Sequence, residues 1–112
     1  MTDYNRGDVV LVRYQASADE DPWLRPAVVT SSETYHQGRN QVILAAVTSN
    51  PQTLRPGDPV VQAWQEAELV GPSVVTGILL TVAPESLERH LGTLDSQDMQ
   101  AVESSLRLSL GL

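Results

Sequence analysis

The stretch PSVVTGILLTV, residues 72–82, decides the fold of this chain. It is rich in β-branched and aliphatic residues, which predicts one long β-strand. Gly77 lies near its centre, and a glycine inside a strand predicts a sharp bend or a β-bulge at that point. A long bent strand that follows several short strands predicts a small β-barrel.

Four shorter strands are predicted before it. They cover residues 7–14 (GDVVLVRY), 25–32 (RPAVVTSS), 41–50 (QVILAAVTSN) and 59–64 (PVVQAW). Pro26 is tolerable because it stands at the beginning of its strand. Residues 15–24 are predicted to form a loop, and LRPGD, residues 54–58, supplies a turn.

After Val82 the pattern becomes helical. PESLERHL, residues 84–91, has a proline and acidic residues at its start and Gly92 after it, which predicts a helix. A second helix is predicted from Asp95, a plausible N-cap, to Gly111, a stop signal, with apolar residues at helical spacing between them. The chain is therefore predicted to be a single mainly β (α+β) domain over residues 1–112.

Composition excludes several functional classes. The chain has no cysteine, no lysine and a net charge of −7, the wrong sign for holding nucleic acid by phosphate neutralisation alone. Residues 1–57 carry five arginines against six acidic residues, whereas residues 58–112 carry two against eight. A site for a polyanion is therefore expected in the first half.

The sequence lacks the signals of the larger enzyme and targeting classes. It contains no membrane-helix run, signal-peptide core, P-loop, dinucleotide fingerprint or serine elbow, so a cytoplasmic protein is expected. No cluster of side chains has metal-ligand spacing, and neither a metal nor a cofactor is expected. His36 and His90 are each predicted to lie at the surface.

Two polar strand ends remain as candidates for chemistry. Arg25 is at the beginning of the second predicted strand, and Thr48 is near the end of the third. Each alone is more often structural, because arginine extends from core edges to water and threonine is a good strand residue. From the residues alone, the interpretation stays at a small β-barrel with a helical tail.

The order of motifs adds a resemblance. RGDVVLVRY, RPAVVTSS, VILAAVTSN, PSVV and the C-terminal segment from Gly92 resemble, in that order, the MazF/PemK family of bacterial toxins. The resemblance implies an SH3-like small β-barrel of the CcdB/PemK/MazF type with a C-terminal helix. It also implies a homodimeric toxin that cleaves single-stranded RNA without a metal and is held inactive by a MazE-like antitoxin.

The resemblance assigns roles to individual residues. The family's catalytic arginine and threonine match Arg25 and Thr48, and the substrate-binding candidates are Arg6, Glu20, Trp23, Ser49 and Asn50. A guanidinium suits this reaction because its rigid fork of donors fits phosphate oxygens. The group that takes the nucleophile's proton stays open, with Glu20 as a candidate helper, because a guanidinium normally keeps its proton.

Two alternatives stay open at this point. Gyrase-poisoning toxins share the fold, but they carry a Trp-Gly element at the C-terminus where this chain ends SLGL. A barrel that binds RNA or its partner without cutting is the other alternative. It is suggested by Trp23 and Leu24, which stand where family members often carry a basic residue, and by Thr76, which also replaces one.

Overall fold

The computed structural model describes residues 4–15, 17–49, 55 and 57–112, with the backbone alone at Trp23. The strands are β1 (Asp8–Tyr14), β2 (Trp23–Val29), β3 (Val42–Thr48), β4 (Val60–Val61), β5 (Ser73–Val82) and β6 (Leu87–Thr93). The helices are α1 (Glu33–Gly38) and α2 (Ser96–Leu110). Among the described helices, none has the length and apolar character needed to cross a membrane.

The strands form one antiparallel sheet in the order β4-β5-β3-β2-β1-β6. The sheet bends into a half-barrel, and α2 follows it at the C-terminus. The predicted mainly β fold with a C-terminal helix is confirmed. The bulge predicted at Gly77 is also confirmed, because Ala45 pairs with Leu79 while Val47 pairs with Val75, which leaves three residues of β5 opposite one of β3.

The two faces of the sheet hold separate apolar clusters, as period-2 alternation requires. On one face, Val28 and Val47 pack with Val102 of α2. On the other face, the cluster comprises Val10, Val12, Ala27, Val29, Val42 and Leu44. Neighbouring residues of β2 and β3 therefore serve opposite sides of the sheet.

The second predicted helix is confirmed with its caps. The Asp95 carboxylate accepts a hydrogen bond from the Asp98 backbone N–H at 2.8 Å, and Gly111 ends α2 with a φ of +72°. Asp98 is buried, and its two carboxylate oxygens accept the backbone N–H groups of Gln62 and Ala63 at 3.0 and 2.9 Å. This residue therefore fastens the segment after β4 to the start of α2.

The helix predicted at residues 84–91 is wrong. Pro84–Ser86 form a single 3-10 turn, and β6 begins immediately after it and pairs with β1. The four-residue spacing of Leu87 and Leu91 resembles a helix, but β1 lies inside the sheet and its outer edge needs a strand partner. Tertiary pairing has overridden the local helical pattern.

Other predicted boundaries also change. The strand predicted over 25–32 begins at Trp23, within the predicted loop, and ends at Val29. Ser32 instead caps α1, a helix that the sequence did not predict, by accepting the Tyr35 backbone N–H at 3.2 Å. The strand predicted over 59–64 is only Val60–Val61.

The prediction for His36 is also wrong, because this residue is buried. It lies on α1 with its ring against Tyr4, at a centroid distance of 5.1 Å. Its Nε2 lies 2.5 Å from the Ser31 hydroxyl, which also accepts the backbone N–H of Ile43. His90 is half-exposed, as predicted.

Candidate active site

A cavity of about 780 Å³ opens where β1 and β3 end and β2 begins, against the bulge of β5. It lies on the side of the sheet that carries the apolar cluster with Val12 and Ala27, and both of these residues line it. Its polar lining residues are Tyr14, Arg25, Thr48, Arg55, Asp58 and Thr76, and its apolar ones include Val12, Ala46, Ile78 and Leu80. The cavity therefore combines arginine side chains with an apolar wall.

Arg25 and Thr48 both line this cavity, as their positions at strand ends predict. Strands β2 and β3 pair with Ala27 opposite Ala46. The same register, carried two residues further along both strands, sets Arg25 opposite Thr48. Residues two apart share a face, so both side chains project to the side of Ala27 and Ala46.

A tight turn brings two further polar residues to the cavity. The Asp58 backbone N–H donates to the Arg55 carbonyl oxygen at 3.0 Å, and Gly57 has a φ of +88° between them. A positive φ at the third position is what a type II turn requires. The Val75 backbone N–H donates to the Pro59 carbonyl at 3.0 Å, which ties the end of the turn to β5.

Sequence reasoning missed Arg55 and Asp58 as site residues. The RPGD pattern predicts a turn, and the structure confirms one at its described residues, but the pattern does not say what the turn faces. The asymmetry of charge was the available signal. Both arginines that line the cavity come from the less acidic half of the chain, where a polyanion site is expected.

Thr76 stabilises the bulge beside the cavity. Its hydroxyl donates to the Ala46 carbonyl oxygen at 2.8 Å and accepts the Ile78 backbone N–H at 3.2 Å. The hydroxyl thus satisfies two backbone groups that the bulge removes from the regular ladder. As a result, Ile78 is held at the rim with 62% of its surface exposed.

Of the other predicted residues, Arg6, Glu20 and Ser49 lie outside the described cavity lining. Arg6 donates to the Thr30 carbonyl oxygen and pairs with Glu103 at 3.2 Å. Glu20 lies on an exposed loop, where its carbonyl oxygen accepts the Gln15 side-chain amide at 2.6 Å, and Ser49 is exposed just after β3. Trp23 pairs with Tyr14 through its backbone, its side chain lies outside the described part, and Asn50 lies outside the described residues.

Within the described ranges of the chain, no group of three or more His, Asp or Glu side chains is arranged to hold a metal ion.

Comparisons with known proteins agree with this architecture. The family described as "PemK-like, MazF-like toxin of type II toxin-antitoxin system" matches residues 5–110. No curated protein sequence matches the chain. The MazE-MazF structure from Deinococcus radiodurans is 20% identical, with a TM-score of 0.80 over 100% of this chain and 99% of that chain.

Two mycobacterial structures are similar in the same way. An endoribonuclease in complex with its cognate antitoxin is 17% identical, with a TM-score of 0.77 over 97% of this chain and 96% of that chain. The Mycobacterium tuberculosis toxin MazF-mt6 is 21% identical, with a TM-score of 0.72 over 94% of this chain and 97% of that chain. At these identities the likeness shows a shared fold.

Proposed function

The chain belongs to the PemK-like and MazF-like toxin family of type II toxin–antitoxin systems, and from this premise we propose that it is a metal-independent endoribonuclease. Its substrate is single-stranded RNA, messenger RNA in the cytoplasm, which it cuts at selected sequences. The observation that carries this proposal is that Arg25 and Thr48, on adjacent strands, line one cavity. Arg25 and Thr48 are the residues that act on the scissile phosphate.

The chemistry suits these two side chains. The substrate's own 2′-hydroxyl attacks the neighbouring phosphorus, so the protein need only place the phosphate, stabilise charge and move protons. The Arg25 guanidinium donates to the phosphate oxygens, on which negative charge accumulates in the transition state. The Thr48 hydroxyl donates to a phosphate oxygen or positions the attacking hydroxyl, and Arg55 adds a second positive charge to the same cavity.

The apolar wall supplies a place for a base. Ile78 is exposed at the rim, and Tyr14 lines the same cavity, so an unstacked base can lie against apolar and aromatic surface beside the phosphate site. Single-stranded RNA presents such bases without the cost of opening a duplex. Sequence selectivity would arise from this wall and from Trp23 and Glu20 in the adjoining segment.

The direct test is incubation of the purified protein with long single-stranded RNA in the presence of EDTA. Cleavage is expected, and Arg25→Ala should lower its rate by about 100-fold or more, the usual effect of losing one transition-state donor. Arg39→Ala is the matched control, because it removes the same charge from an arginine that stacks on Tyr35 outside the cavity. RNA that binds but stays intact would instead favour a non-cleaving barrel.

The chemical groups at the ends of the RNA products show which group attacks the phosphorus. Attack by the 2′-hydroxyl leaves a 2′,3′-cyclic phosphate and a 5′-hydroxyl, and a 2′-deoxy substitution at the cut site should block the reaction. Product with 5′-phosphate ends, formed only with magnesium, would contradict this mechanism.

We further propose that the toxin is a homodimer inhibited by a MazE-like antitoxin. The C-terminal part of α2 exposes Leu108 by 73%, and Leu112 beyond the helix is exposed by 82%. Apolar surface of this kind is typical of a protein contact. Light scattering at micromolar concentration should give twice the mass of one chain, and a monomer would contradict the dimer.

A further inference from the structure

The proposed reaction needs a proton acceptor, and neither Arg25 nor Thr48 supplies one. A guanidinium normally keeps its proton, and a threonine hydroxyl is itself a weak acid. Glu20, the helper expected from the sequence, does not line the cavity. The acceptor must be sought among the groups that do line it.

Asp58 is the one carboxylate among the described residues that line the cavity. It occupies the last position of the turn that starts at Arg55, and the bond from Val75 to Pro59 holds the next residue against β5. The position of its backbone is therefore fixed from both sides. The turn delivers a cation and a carboxylate to the same cavity from its first and last positions.

Within the described residues, the Asp58 carboxylate takes no part in holding the fold. Its backbone N–H makes the turn, but its side chain makes no hydrogen bond or ion pair with the described part of the chain. This differs from Asp8, Asp95 and Asp98, whose carboxylates all bind backbone or side-chain donors. A half-buried carboxylate that lines a cavity and has no partner among the described residues is available for chemistry in that cavity.

We propose that Asp58 is the general base of the cleavage reaction, an inference that rests on the nuclease function proposed above. The attacking 2′-hydroxyl gives its proton to an Asp58 carboxylate oxygen while its oxygen forms a bond to phosphorus. The bond from phosphorus to the 5′-oxygen breaks, and that oxygen takes a proton from water. Asp58 then returns its proton to solvent, so the products are a 2′,3′-cyclic phosphate and a 5′-hydroxyl with no net change in protons.

The surrounding charges suit this role. Arg25 and Arg55 line the same cavity and attract the phosphate that Asp58 alone would repel. Tyr14 also lines the cavity, and its phenolic hydroxyl can donate or accept a hydrogen bond. Among the described lining residues, the Asp58 carboxylate is therefore the side chain suited to accept the proton of the attacking hydroxyl.

The experiment compares Asp58→Asn and Asp58→Glu with the wild type on one RNA, with EDTA present. Asp58→Asn should lower kcat by about 100- to 10,000-fold, which is the usual contribution of a general base to the rate, with little change in KM. Asp58→Glu should recover part of that loss because it restores a carboxylate. Glu85→Gln is the control for the loss of one negative charge, because Glu85 is exposed and outside the cavity.

The pH profile separates a base from a residue that only positions RNA. The wild-type rate should fall on acidification as the carboxylate takes up a proton, and the residual rate of Asp58→Asn should not show that fall. Wild-type activity in Asp58→Asn, or a changed cut site with the acid fall retained, would overturn the inference while leaving the nuclease intact. Intact RNA with the wild-type protein would overturn both.

Discussion

Replacement of Asp98 by alanine is the most informative test of how the fold is held. The Asp98 carboxylate is buried at the start of α2 and accepts two backbone N–H groups, those of Gln62 and Ala63, at 3.0 and 2.9 Å. Asp98→Ala removes both acceptors at once and leaves a methyl group between the two donors. It also removes a negative charge from the positive end of the helix.

The expected loss in the free energy of unfolding can be worked out from these contacts. A donor left without a partner costs about 1–3 kcal/mol, and Gln62 and Ala63 are exposed enough for water to recover part of this. The lost helix-end interaction adds about 0.3–1 kcal/mol. The free energy of unfolding should therefore fall by about 3 kcal/mol, which for a domain of this size lowers the melting temperature by roughly 10–15 °C.

Urea unfolding followed by circular dichroism measures this change. Asp98→Asn keeps one acceptor oxygen and should lose about half as much stability. Gln97→Ala is the matched control, because Gln97 is the exposed neighbour on the same turn of α2. If Asp98→Ala unfolds within about 0.5 kcal/mol of the wild type, as a surface substitution would, the carboxylate does not fasten the segment after β4.

Three further substitutions test other parts of the structure. Gly92→Ala should destabilise the protein by about 1–3 kcal/mol in thermal melting, because a Cβ there would lie 2.6 Å from the Ala67 backbone; unchanged melting would contradict that close approach. Thr48→Ala should abolish RNA cleavage while Thr48→Ser retains it, and an inactive serine variant would show that the hydroxyl alone is not sufficient. Trp23→Ala should weaken RNA binding by about 1–3 kcal/mol in a titration with little change in stability, as expected for base stacking. A stability loss of about 3–5 kcal/mol without a binding defect would instead make Trp23 a packing residue.

The elements that the sequence predicts well are those with strong local signals. Strands β1, β3 and β5 are runs of β-branched residues, and α2 has both of its caps in the sequence, at Asp95 and Gly111. β6 was mistaken for a helix because its formation depends on the unpaired edge of β1, which lies far away in the sequence. α1 was missed because it is only six residues long and its signals, Ser32 as N-cap, Glu33 in the first turn and His36 in the last, lie in a segment that also continues a strand pattern.

The residues of the candidate site likewise include some that the sequence predicts and some that it does not. Arg25 and Thr48 were predicted to meet because both stand at the ends of strands, and the structure places both in one cavity. Arg55 and Asp58 lie in a turn, and the direction in which a turn faces is set by tertiary contacts such as that between Pro59 and Val75. The sequence around Arg6 does not show that Glu103 of α2 will be its partner.

The register that buries the core also sets the position of the site. Val28 and Val47 face α2, and Arg25 and Thr48, at odd spacing from them along β2 and β3, face the cavity. A slip of one residue in either strand would turn its charged or polar end toward the apolar packing around Val102 and turn a valine out of it. Burying the Arg25 guanidinium there without a partner would cost several kcal/mol. The packing of one face of the sheet therefore fixes the alignment of the two proposed catalytic residues on the other.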